Sequence, residues 1–223
     1  MSWPLRVKSF IRRRASFSTP MDAVFSEIFE KRTWGDDESV SGPGSTLART
    51  ATFRDEIALL LEALGTKTLL DAGCGDFNWL KETQLGAIRY VGVDVVPKLI
   101  ARNQQAFGSD TRTFLKRDMT TDSLPQADVI LCRDALVHFS LAEISSAIQN
   151  FKRSKATYLL ATTFVALGKN TEIVTGSWRR INLQIPPFRF PEPLQVIDEQ
   201  CEHSGGIYRD KRLSLWRLAD LVV

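Results

Sequence analysis

Residues 68–76, Thr-Leu-Leu-Asp-Ala-Gly-Cys-Gly-Asp, constrain this chain more than any other stretch. A short apolar strand runs straight into two glycines, so the backbone turns at the strand's carboxyl end without side chains that would hold a ligand away. The same figure, an apolar strand closing on a carboxylate, returns in Tyr90-Val91-Gly92-Val93-Asp94 and in Phe114-Leu115-Lys116-Arg117-Asp118. Helical stretches lie between. Residues 51–64 put Phe53, Ile57, Leu60, Leu61 and Leu64 on one face before Gly65. A helix is expected over residues 77–81, and another from Pro97 through Leu99, Ile100 and Phe107 to Gly108. Val129-Ile130-Leu131-Cys132 reads as a strand buried on both faces. Ser140-Leu141-Ala142-Glu143 has the spacing of a capping box ahead of Ile144, Ile148 and Phe151, and residues 158–161 form a fifth strand. This alternation predicts an α/β fold with a doubly wound, mostly parallel sheet and helices on both faces.

The rhythm breaks after Phe164. Residues 168–193 carry Pro186, Pro187, Pro191 and Pro193 among Trp178, Arg179, Arg180, Phe188, Arg189 and Phe190, the texture of a substrate loop. Residues 194–197 and 213–218 then read as two closing strands, an antiparallel pair at one sheet edge. Upstream, residues 34–45 contain Ser41-Gly42-Pro43-Gly44-Ser45, either a plain linker or a turn that folds over a ligand. The chain thus divides into a basic segment 1–20, a cap or lid segment 21–50, and an α/β domain 51–223.

A length of 223 residues, 43% hydrophobic and 25% charged, suits one such domain. Charges interrupt each apolar run before the roughly 20 residues needed to span a bilayer, and the start lacks an apolar signal core; a soluble, cytoplasmic protein without a transmembrane segment is expected. The 29 lysines and arginines against 26 carboxylates give +3, but five of the basic residues precede Asp22, leaving 24 against 26, a balance of −2. The basic character belongs to the head, so a nucleic-acid partner is not expected. Cys74, Cys132 and Cys201 form no CxxC, and Cys201 with His203 lacks further ligands, so reduced thiols and no metal site are expected.

The glycine turn restricts its ligand by charge. A dinucleotide fingerprint would need glycine where Asn78 stands, and Asp71 and Asp76 beside the turn would repel a pyrophosphate. No Walker loop occurs. A ligand bearing an ammonium and a sulfonium is favoured instead, and S-adenosylmethionine is such a ligand. Asp94 then accepts from the ribose hydroxyls, while Asp118 and Met119 sit beside the adenine.

With these residues in view, the chain resembles the class I S-adenosylmethionine-dependent methyltransferases. Residues 69–76 look like that family's first motif, 90–94 its second, Asp118-Met119 its adenine-side position, and 127–139 its fourth strand and following turn. The likeness runs over roughly residues 50–165. More narrowly, the chain is similar to bacterial methyltransferase-domain proteins that share the 34–45 and 176–194 stretches. The resemblance implies a seven-stranded sheet with an antiparallel last strand. It also implies cofactor contacts at Asp71, Gly73, Cys74, Gly75, Asp94, Asp118, Met119 and Arg133. Phe77 departs from it, standing near where many members carry a third glycine.

Methyl transfer needs an aligned nucleophile and, for a hydroxyl or amine, a proton acceptor. His138 fits the base by its ordinary pKa of about 6.5, or is a capping or core histidine. Asp134 either serves as the base or orients an arginine. Trp178, Arg179 and Arg180 form either a clamp for a carboxylate, phosphate or sugar acid, or a solvated turn. Cys132-Arg133-Asp134-Ala135 stands where an N-P-P-[YF] signature would mark base or amide N-methylation. The expected activity is methyl transfer from S-adenosylmethionine to an unidentified small or glycan-like, hydroxylated acceptor, either neutral or anionic. The alternatives are an NAD(P)-dependent oxidoreductase and a catalytically silent S-adenosylmethionine-binding scaffold.

Overall fold

The structure is a computed structural model that describes residues 19–201 and 204–222. Nearly all of the basic head, residues 1–18, and His203 lie outside the described residues. Seven strands form one sheet: β1 Thr68–Ala72, β2 Arg89–Asp94, β3 Arg112–Lys116, β4 Val129–Cys132, β5 Tyr158–Phe164, β6 Gln195–Asp198 and β7 Lys211–Arg217. Their order is β3-β2-β1-β4-β5-β7-β6. The pairings among β1 to β5 are parallel, and β7 is antiparallel to both its neighbours, so it alone is reversed. The doubly wound, mostly parallel sheet is as expected. The closing pair differs in detail, because β7 inserts between β5 and β6. Its register reaches Phe164 opposite Lys211, which extends β5 past the four residues expected.

Alternation along the strands splits the core into two faces. Leu69, Tyr90, Val129 and Leu131 pack with Phe53, Ile57 and Leu61 of α2, Leu47–Ala63. Leu70, Val91, Val93 and Ile130 face the opposite cluster, which receives Leu99 of α3, Pro97–Phe107, and Ile144, Ile148 and Phe151 of α4, Leu141–Arg153. Burial of each such aliphatic or aromatic side chain stabilises the fold by about 1.5–3 kcal/mol. Both ends of the helical punctuation hold: Gly65, at φ +62°, ends α2 in the left-handed conformation, and Ser140 and Glu143 exchange side-chain and backbone bonds as a capping box.

The helix expected over residues 77–81 is absent. Phe77 takes φ +59°, which no α-helix tolerates, and only a single 3₁₀ turn, Leu80–Glu82, follows. The strain is held by packing, since the Phe77 ring lies 4.7 Å from Tyr90, 5.5 Å from Phe107 and 5.2 Å from Phe114, centroid to centroid. The 168–193 stretch is irregular as expected but well packed. Ile181, Leu183, Phe188 and Phe190 are buried, and Asn182 bonds to the carbonyls of Val165 and Leu167. The cap contributes α1, Met21–Glu30, whose Phe25 and Ile28 join the core. No helix among the described residues is long and apolar enough to cross a membrane.

Candidate active site

The carboxyl ends of β1 and β4 lie side by side where the strand order reverses, and a cavity opens there beneath the cap. Its floor is the glycine turn. The Gly73 and Cys74 amides both donate to the Val93 carbonyl, which pins the turn to β2. Gly73 takes φ +84°, and a Cβ there would fall 2.7 Å from the Ala135 side chain. A side chain at Gly75 would lie 2.1 Å from Ser41 Oγ. These glycines therefore give the close approach that strand β1 requires at its end.

Three carboxylates surround this turn, in different states. Asp71 is buried and accepts a 2.8 Å bond from the Tyr90 hydroxyl; burial pushes its pKa up to about 7 against that bond, with the Asp94 charge adding to the rise. Asp94 accepts from the amides of Gly75 at 3.2 Å and Val96 at 3.0 Å, and burial outweighs those bonds to raise its pKa. Asp76 is fully engaged: its carboxylate accepts from the Ser39 and Ser41 hydroxyls and the Val40 amide. It clasps the 39–45 strap onto the glycine turn while still lining the cavity, so its oxygens are occupied by neutral donors but its charge stays beside the turn. The strap folds over the cavity, where Ser41, Gly44 and Ser45 line it. Beside them Arg49, half-buried on α2, also lines the cavity and makes no hydrogen bond or ion pair among the described residues.

The other half of the cavity is aromatic and charged. His138 ends a 3₁₀ turn, Leu136–His138, and is buried. Its Nδ1 lies 2.9 Å from the Ser177 carbonyl, which can only accept, so Nδ1 carries the proton and Nε2 keeps the lone pair. Trp34 stacks on this ring at 4.6 Å. Burial lowers the His138 pKa to about 4 despite the Ser177 bond and the Asp134 charge, so the imidazole is neutral at pH 7. Asp134 sits at φ +55° with its amide bonded to Thr162 Oγ1. Burial works to raise its pKa, but the Lys211 and Arg133 charges prevail and hold it low. Arg133 bonds to buried Glu199 at 2.7 Å and to the Gly44 carbonyl at 3.0 Å, tying the strap to the sheet.

Comparisons with known proteins bear on this geometry. Residues 69–156, from the first glycine turn through α4, match the family model described as a methyltransferase domain. Over that stretch the chain matches a methyltransferase domain, set within the seven-stranded sheet described above. A search of curated proteins returned no match. Among solved structures, human N-acetylserotonin methyltransferase in complex with S-adenosylmethionine is 14% identical, covering 90% of this chain and 60% of that one, with a TM-score of 0.58. Magnesium protoporphyrin IX methyltransferase from Synechocystis PCC 6803, with bound S-adenosylmethionine, is 19% identical over 71% of this chain and 82% of that one, at a TM-score of 0.50. The N-methyltransferase NodS from Bradyrhizobium japonicum WM9 is 16% identical over 73% and 94%, at 0.51. At these identities the likeness is one of fold.

The residues present fit S-adenosylmethionine, which is bound in two of those solved structures. Two strand-end carboxylates, a turn that a Cβ would obstruct, and an unpaired cation at Arg49 match a zwitterionic, cationic nucleoside. Of the cofactor contacts expected from sequence, Asp71, Gly73, Cys74, Gly75, Asp94, Met119 and Arg133 line the one cavity. Asp118 does not. Its Oδ1 is taken by the Thr120 amide and hydroxyl at 2.8 and 2.6 Å, closing a tight turn after β3.

On the acceptor side the structure brings His138, Asp134 and Trp178 to the cavity, but not the two arginines. Arg179 is buried and donates to the carbonyls of Leu136, Val137, Phe139 and Thr171, so it braces the turn that carries His138. Arg180 bonds to the Ile207 carbonyl and faces Asp210 at 3.9 Å. The expected anion clamp is therefore corrected: its donors are spent on the protein. Arg49, Glu199 and Lys211 escaped sequence reasoning. The 34–45 motif pointed to Trp34, but Lys211 and Glu199 are ordinary charges flanking short strands, and only the sheet order brings them beside Asp134.

Proposed function

We propose that the domain transfers the methyl group of S-adenosylmethionine to a hydroxyl of a small or glycan-like, ring-bearing acceptor. The observation that carries this reading is the neutral His138, oriented through Nδ1 and flanked by Trp34, in one cavity with Asp71 and Asp94. The cofactor supplies an electrophilic methyl on a sulfonium. Asp71 takes the ammonium end of the donor, Asp94 accepts from the ribose hydroxyls, and Arg49 holds the carboxylate. Met119 and the Gly73–Gly75 turn bound the nucleoside. His138 Nε2 accepts the proton of the acceptor hydroxyl as the new bond to carbon forms. Its low basicity suits a proton that becomes acidic only as that bond forms, and its fixed tautomer avoids reorganisation. Asp134, held ionised, accepts a hydrogen bond rather than a proton.

Trp34, Trp178, Tyr208, Phe139 and Phe164 wall the acceptor half, surfaces on which a sugar or other ring packs. With Arg179 and Arg180 turned away, net negative charge on the acceptor is not required. Titration with S-adenosylhomocysteine and with NADH separates this reading from a nicotinamide oxidoreductase; tight NADH binding with no heat from S-adenosylhomocysteine overturns it. A mass-shift screen of sugars, sugar acids, small hydroxy acids and RNA with labelled methyl donor then tests the acceptor class. Transfer to a hydroxylated ring that His138→Ala abolishes, with S-adenosylhomocysteine affinity retained, is expected. Transfer only to nitrogen or to RNA overturns the acceptor reading.

A further inference from the structure

Four charged side chains meet at the edge of the acceptor half. Lys211 Nζ lies 2.5 Å from Asp134 Oδ2 and 3.0 Å from Glu199 Oε2. Arg133 binds the same Glu199 oxygen through Nε at 3.2 Å and Nη2 at 2.7 Å, and reaches Asp134 Oδ2 at 3.4 Å. The Glu199 side chain is 0% exposed, that of Arg133 4% and that of Lys211 8%, while Asp134 keeps 26%. Two cations and two anions balance. Burying such a set is costly in desolvation and stabilises a fold poorly compared with apolar packing, so its retention calls for a specific role.

Valences left over supply that role. An ammonium has three protons; Lys211 gives one to Asp134 and sets its charge against Glu199, which leaves at least one N–H to spare. A carboxylate has two oxygens, and Asp134 Oδ1 has no partner among the described residues. Asp134 and Lys211 both line the cavity, together with His138, Trp178 and Tyr208. Glu199 does not line it, and it holds the Lys211 ammonium and the Arg133 guanidinium in place from behind.

We propose that Asp134 and Lys211, fixed by Glu199 and Arg133, read two adjacent hydroxyl groups on a sugar ring. Asp134 Oδ1 accepts the proton of one hydroxyl, and the spare Lys211 N–H donates to the oxygen of its neighbour. A side-by-side acceptor and donor of opposite charge matches a vicinal diol, whose oxygens both give and take a hydrogen bond. A lone carboxylate on the acceptor would instead meet Asp134 at short range. The cluster being neutral, the pair selects the diol without selecting net charge, and the diol it grips sets which ring hydroxyl meets His138. This assignment rests on the ring-bearing acceptor read above.

The test uses the full chain saturated with S-adenosylhomocysteine and, as probes, the methyl glycosides of glucose, galactose and xylose, followed by saturation-transfer NMR. Two variants are compared with the parent: Asp134→Asn, and the charge-balanced double variant Glu199→Gln with Lys211→Met. The parent is expected to transfer saturation to the ring protons of at least one glycoside. Both variants should weaken that binding about tenfold or more while S-adenosylhomocysteine affinity stays within about twofold, since bonds to charged groups are at stake. If the parent binds none of the glycosides, the glycan-like acceptor fails and the assignment falls with it. Glycoside binding that survives in both variants overturns the diol pair alone and leaves the acceptor reading standing. Loss of S-adenosylhomocysteine binding in both makes the cluster a scaffold for the whole cavity and likewise overturns it.

Discussion

In the proposed donor site, Asp94 is the carboxylate assigned to the ribose. It closes β2, and its two oxygens are already aimed by the amides of Gly75 and Val96. A carboxylate held in this way keeps its orientation at no further entropic cost when two ribose hydroxyls arrive. We expect Asp94→Ala to weaken S-adenosylhomocysteine binding by about tenfold or more, the size of a lost charge-assisted pair of bonds. Calorimetry on the purified variant measures it, and unchanged affinity removes Asp94 from the nucleoside. Asp71, Gly73, Gly75 and Asp94 were legible in the sequence because each sits at a strand end, where strand position alone fixes the backbone. The fate of Asp76 was not legible. Its partners Ser39 and Ser41 lie far away along the chain, and nothing local marks them as hydroxyls that would claim it. The same holds for Arg179, whose fork fills with carbonyls of the 136–139 turn only after the 168–193 loop packs against it.

Among the elements, those with their own internal signal were read correctly. Helix α4 announces itself through Ser140 and Glu143, and Ser140 Oγ does accept from the Glu143 amide at 3.2 Å. Removing that hydroxyl should cost about 1 kcal/mol. Ser140→Ala is therefore expected to lower the urea midpoint with the slope unchanged, leaving S-adenosylhomocysteine affinity intact; a variant as stable as the parent would mean that the Glu143 side chain alone sustains the helix start. The stretch over 77–81 was misread for the opposite reason. Its residues have ordinary helical composition, but the backbone of Phe77 is held left-handed by three aromatic neighbours drawn from β2, α3 and β3. Tertiary packing of one ring outweighs local propensity there, at a strain cost of about 1 kcal/mol or more. The strap behaves similarly. Its turn-forming sequence allowed either a linker or a lid, and the Asp76, Asn78 and Arg133 side chains make it a fixed wall of the cavity.

Over the whole molecule, the sheet gathers its carboxylates at one edge before any ligand neutralises them, and this gives binding a pH dependence with a definite sign. Burial raises the Asp71 pKa to about 7, so the folded protein carries a proton there that the unfolded chain, near 3.8, has already released. Asp71 therefore makes stability fall as pH rises from about 4 to about 7. His138 does the reverse: neutral in the fold and protonated in the unfolded chain below 6.5, it makes stability rise between about 4 and 6.5. The two slopes oppose over most of the acid range, so melting curves alone would hide both. Ligand affinity separates them. An ammonium binds the ionised carboxylate, of which about a tenth is present at pH 6 and about nine tenths at pH 8 for a pKa near 7. S-adenosylhomocysteine should accordingly bind about tenfold more tightly at pH 8 than at pH 6. The dependence should vanish in Asp71→Asn, where affinity is low and flat, and should persist in His138→Ala, since burial moves that imidazole's pKa down to about 4, away from this interval. Affinity in the parent that is level across this interval, or that falls, would show that Asp71 enters the complex with its proton on, and the ammonium would have to be bound elsewhere along the strand ends.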